Sequence, residues 1–114
     1  MPGDVAVPFA DVTGNIGMWV DALFQASAGL TLIGASDWHT WDQWIDCWAE
    51  INSVNAKYRQ ISTDAYAARK ESIGEAVAEE FEFVWKFGFA GGNPDALRPE
   101  EVGVCAEFVP IRES

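Results

Sequence analysis

The run DWHTWDQWIDCW, Asp37 to Trp48, constrains the fold more than any other stretch of the chain. Thr40-Trp41-Asp42-Gln43 fits a capping box, in which the threonine oxygen accepts from an amide and the glutamine reciprocates. A helix therefore starts near Thr40. From there Trp41, Trp44, Trp48, Ile51, Asn55 and Tyr58 follow a 3-4 spacing, one stripe of a helix running to about Gln60. Ser62 or Thr63 recaps the chain. A second helix follows from about Asp64 to Phe89, with Tyr66, Ile73, Val77, Phe81, Val84 and Trp85 as its apolar stripe, stopped by Gly91-Gly92-Asn93-Pro94. Two long helices joined by so short a turn are expected to lie antiparallel.

Pairing that hairpin about Ser62 sets Trp48 against Val77, Trp44 against Phe81 and Trp41 against Val84. The tryptophan stripe then reads as core rather than as a ligand cage, with Trp44 and Trp48 largely buried. Trp38 precedes the cap and has no place on the stripe. It is either a lid packed back on the core or an exposed contact residue. Upstream, Thr13 caps an expected helix over Gly14–Ala28 with Ile16, Trp19, Val20, Leu23 and Phe24 on one face, stopped by Gly29. VAVPF (5–9) reads as an edge strand interrupted by Pro8, and LTLIGA (30–35) as a short buried strand. RPEEVG fits a helical turn with Pro99 first, and VGVCAEFVPI a strand pairing with 5–9 or 30–34; the strand is preferred for the tail. The expected fold is one helix-dominated α+β domain over 1–114. It has a helix hairpin (about 40–61 and 63–89), an N-terminal helix (about 14–28) and a small sheet of two or three short strands. Its 114 residues, 49% of them hydrophobic and 13% aromatic, suffice for one core and exclude disorder.

Charge layout narrows function. Residues 1–56 hold seven acids and no lysine or arginine. Residues 57–70 carry Lys57, Arg59, Arg69 and Lys70 against Asp64 alone, and are expected to form a basic tip at the turn. Residues 71–114 return to ten acids and three bases. The net charge of −11 argues against direct binding to nucleic acid or to an anionic membrane, and favours a basic partner. No stretch approaches the roughly 18–20 apolar residues of a membrane span, and MPGDVAVPFADVTGN does not read as a signal peptide. Cys47 and Cys105 make neither a disulfide framework nor a zinc pattern. They read as buried small residues in a reducing cytoplasm.

Catalytic and metal chemistry find little support. His39, Asp42 and Asp46 share a face only if the helix starts before Thr40, which the capping box opposes. Cys47 and His39 are eight residues apart, about 12 Å along a helix, too far for a nucleophile–base pair. Gly14-Asn15-Ile16-Gly17 resembles a phosphate-cradling loop only in composition, has no nearby base, and reads as a turn. No enzyme activity, cofactor or metal is expected.

Two acidic runs remain. Asp42, Asp46 and Glu50 stand at i, i+4 and i+8, and Glu71, Glu75 and Glu79 repeat the spacing, with Glu82 continuing the face. Like charges four apart disfavour a helix by some tenths of a kcal/mol per pair. Carboxylates about 6 Å apart imitate a phosphate backbone. The expected function is therefore a small acidic, non-enzymatic inhibitor that blocks a basic surface of a partner, such as a nucleic-acid-binding enzyme or complex. Asp42, Asp46, Glu50, Glu71, Glu75, Glu79, Glu82 and Trp38 would make the contact. Phage anti-restriction and anti-CRISPR proteins and the immunity proteins of nuclease toxins work by this logic, but the chain matches no motif of theirs. The alternative is a phage structural or assembly protein with aromatic oligomer contacts. A third class is an enzyme or small-ligand binder with a tryptophan-lined pocket.

Overall fold

A computed structural model describes residues 1–69 and 71–103. The fold is helix-dominated α+β, as expected. In chain order it runs β1 (Ala6–Phe9), α1 (Val12–Gln25), β2 (Thr31–Leu32), β3 (Asp37–Thr40), α2 (Trp41–Asn52), α3 (Thr63–Ala67), a 3-10 turn (Glu71–Ile73), α4 (Gly74–Phe87), β4 (Ala96–Leu97) and a 3-10 turn (Pro99–Val102). The strands make two separate two-stranded sheets, β1–β3 and β2–β4. The β2–β4 pair is parallel, with Thr31 opposite Ala96 and Leu32 opposite Leu97. The chain divides into two compact units, Met1–Val7 with His39–Gly92, and Pro8–Trp38 with Asn93–Ser114.

In the second of these units, α1 begins two residues earlier than expected. Asp11, not Thr13, is the cap, its Oδ1 accepting from the Gly14 amide at 2.9 Å. A carboxylate at a helix N-terminus also favours the helix dipole, which a threonine does not. Gly14 to Gly17 thus lie inside α1 rather than in a turn. The helix closes at Gln25, short of Gly29, with the Ala26 amide donating to Leu23 O. The α1 stripe divides. Trp19 is buried, whereas Ile16, Val20, Leu23 and Phe24 are exposed, Phe24 at 86%. Trp19 lies against Gly34: a Cβ built there would stand 3.1 Å from Trp19 Cε3. Asn15 is fully buried. After β4 the chain takes the Pro99-led helical turn, with the Arg98 amide donating to Glu101 Oε2 at 2.7 Å. The preferred tail strand falls mostly on 104–114, outside the described residues, as does Cys105.

In the unit holding the tryptophan-rich run, the capping box forms as the sequence implies. Gln43 N donates to Thr40 Oγ1 at 3.2 Å, and Thr40 N donates to Gln43 Oε1 at 2.9 Å. The helix that follows is shorter than its stripe. It ends at Asn52, and Ser53 adopts left-handed backbone at φ 53°, the one non-glycine residue among those described to do so. The Ser53 amide reaches Glu50 O and the Val54 amide reaches Ala49 O, a Schellman closure. Asn52, Ser53, Val54 and Asn55 are all weak helix formers, so the apolar period runs on past the point where the backbone stops following it. Residues 54–62 are not helical. The second expected helix is likewise divided into α3, the 3-10 turn and α4. Ser72, Ile73 and Gly74 interrupt it, and α4 ends at Phe87, where Gly88 at φ 81° donates back to Val84 O. The hairpin with a two- or three-residue turn is therefore replaced by α2, a long non-helical return, α3 packed on α4, and a changed pairing. Trp48 is 44% exposed rather than buried, and Ile51 and Ile73 are exposed.

Candidate functional site

The changed pairing builds an aromatic cluster around Trp41. Because the chain reverses at Ser53, Tyr58 returns alongside the start of α2 and stacks on Trp41, ring centroids 6.5 Å apart at 12°. Phe81 of α4 meets Trp41 edge-on at 6.3 Å and Tyr66 of α3 edge-on at 5.5 Å. Trp44, expected to be largely buried, is half-buried and lies edge-on to Trp41 at 6.1 Å. The Tyr58 hydroxyl donates to Met1 O, and burial followed by the nearby Asp42 carboxylate raises the pKa of this phenol.

These rings do not close on one another. They border an open cavity of 420 Å³. Trp41, Tyr58, Tyr66, Phe81 and Trp85 make its aromatic walls, and Ala78, Phe81, Glu82 and Trp85 share one face of α4 at i, i+3, i+4 and i+7. Arg59 and Arg69 stand at its border, with Ser62 and Thr63 between them in sequence. Ser62 Oγ also caps α3 by accepting from Ala65 N at 3.2 Å. Two of the four expected tip residues thus come together at one cavity; Lys57 is exposed, and Lys70 lies outside the described residues. The tryptophan stripe, expected as core, instead borders this space at Trp41, which the apolar period does not reveal. The signal of the space was the cluster Asn52-Ser53-Val54-Asn55, which breaks the helix.

Asp42, Asp46 and Glu50 are exposed on α2, and Glu75 and Glu79 on α4, with Glu80 exposed beside them. The second run is not continuous: the Glu71 backbone belongs to the 3-10 turn, not to α4. Glu82 is half-buried, borders the cavity and pairs with Lys86. The Lys86 hydrogen bond and charge hold the Glu82 carboxyl below its ordinary pKa. Trp38 is half-buried in β3, and the Arg98 guanidinium lies over its ring at 4.4 Å, a cation–π contact. His39 lies in β3, outside α2, and Cys47 is a half-buried free thiol. Among the described residues no group of three or more His, Cys, Asp or Glu is placed to hold a metal ion, and no helix is long and apolar enough to cross a membrane. No known protein family, curated protein or solved structure matches the chain.

Proposed function

We propose that this is a small, acidic, non-enzymatic binding protein of the cytoplasm. It covers a basic, nucleic-acid-binding surface of a partner protein, as anti-CRISPR, anti-restriction or immunity proteins do. The observation that carries this reading is the exposure of Asp42, Asp46 and Glu50 along α2 and of Glu75 and Glu79 along α4. Rows of carboxylates in a chain of net charge −11 steer and register a basic surface. The test uses wild type and a D46K/E50K/E75K/E79K variant as parallel baits in native host lysate, with circular dichroism showing that the variant stays folded. Wild type should retain a basic nucleic-acid-binding protein at low salt and release it at high salt, and the variant should retain none. A partner held equally by both baits overturns the reading.

A second reading, assembly through apolar contacts, draws support from α1. Val12, Ile16, Val20, Leu23 and Phe24 are all exposed on this one helix, an apolar surface of the kind that marks interaction sites. Under this reading V20E/F24E changes the sedimentation coefficient of an oligomer and the four-lysine variant does not. Trp38→Ala removes a further aromatic contact.

A further inference from the structure

We propose that the 420 Å³ cavity bordered by α3, α4 and the 54–62 return is a binding site for a small planar aromatic carboxylate. This goes beyond the acidic-face reading and shares only Glu82 with it. The volume lies within the range of about 300–1,000 Å³ typical of small-molecule sites, and suits one or two fused rings.

The walls offer faces and edges to a flat ring. Trp41 and Tyr58 are stacked as one slab, and Phe81 stands at 85° to Trp41. A planar ligand entering beside them meets both offset-stacked and edge-on partners, the favoured aromatic geometries. An aromatic cage can equally hold an ammonium ion, and the bordering charges decide between the two. Arg59 and Arg69 are both cationic, and Glu82, the one bordering carboxylate among the described residues, is already engaged by Lys86. The cavity border is therefore cationic within an acidic chain, which repels an ammonium and attracts a carboxylate. A guanidinium fork matches a carboxylate in bidentate fashion. The Ser62 hydroxyl accepts from Ala65 N and keeps its proton to donate.

Isothermal titration with 2-naphthoate tests this on the full chain, with uncharged 2-naphthalenemethanol and choline as controls. The expected result is 1:1 binding of naphthoate with a Kd of about 10–500 µM, at least tenfold tighter than either control. Arg59→Gln and Arg69→Gln should each weaken naphthoate by about tenfold. Both arginines are exposed, so both variants should fold, as circular dichroism will show. Absence of naphthoate binding up to about 5 mM (a free energy weaker than about −3 kcal/mol), equal affinity for the uncharged analogue, tighter binding of choline, or a Kd unchanged in either arginine variant would each overturn the proposal. None of these results depends on a partner protein, so the acidic-face reading stands or falls separately.

Discussion

Trp19 and Trp41 are both helix-borne indoles, one in each compact unit, and their surroundings differ in kind. Trp19 is 6% exposed and is met so closely by Gly34 that a single added carbon would crowd it. Trp41 touches three other rings, yet the cluster leaves a cavity open beside it. The first arrangement fills space and serves stability. In the second, two rings stand edge-on to Trp41 and one stacks on it, with polar and cationic groups at the border of the space left open. Tryptophan content alone carries no functional meaning; what matters is whether neighbouring atoms close around the ring.

The largest expected effect sets Trp19 against Trp48. Trp19→Ala should lower stability by about 3–5 kcal/mol, and Trp48→Ala, already half in solvent, by only about 1 kcal/mol. Urea denaturation followed by circular dichroism measures both, and equal losses would erase the contrast. Gly34→Ala sharpens it from the other side. The new methyl meets an indole with little freedom to shift, so a loss of about 1–3 kcal/mol is expected, whereas Gly17→Ala, with open space at its Cβ, should not lower stability. Smaller and opposite in sign is Ser53→Gly, which relieves left-handed backbone at the end of α2 and should raise stability by about 0.5–1 kcal/mol. A lower midpoint in that variant would mean the Schellman closure does not end the helix.

The smallest effect is electrostatic. The Glu82 carboxyl is held below a glutamate's ordinary value of 4.5, chiefly by the hydrogen bond and charge of Lys86. Its contribution is therefore fully present above that pH and is lost as pH falls through the folded value. Glu82→Gln should flatten the stability–pH curve on the acid side and leave neutral stability nearly unchanged, because exposed pairs contribute little. A Glu82→Gln curve that still falls as steeply in acid would assign that loss to other carboxylates.

What was legible in the sequence was local. Thr40 and Gln43 announce the start of α2 because both partners of the capping box lie within four residues. The helical turn at Pro99 was only half legible: Pro99 suits a first helical position, but the alternation that follows favoured a strand, which was the preferred reading. The end of α2 was not, because Asn55 and Tyr58 prolong the apolar period although the backbone has already turned at Ser53. A serine in the left-handed region carries none of the signature that a glycine would. The cavity was hidden for a derived reason: its Tyr58 wall exists only once that reversal is known. The exposure of Asp42, Asp46, Glu50, Glu75 and Glu79 was legible as charge spacing; Glu71, where weak helix formers ahead of Gly74 break the frame, and Glu82, which borders the cavity, were not.

The non-helical return after Ser53 has one more consequence, for proteolysis. Residues 1–56 contain no lysine or arginine, and Lys57 and Arg59 both lie exposed in that return. A trypsin-like protease therefore meets no cleavable bond through β1, α1, β2, β3 and α2, and its first one in non-helical, exposed chain, where nicking is favoured. A cut there severs α2 from α3 and α4 at the cavity wall. Arg59 is thus both a cleavage residue and a residue of the cavity border, whereas Lys57 is a cleavage residue alone.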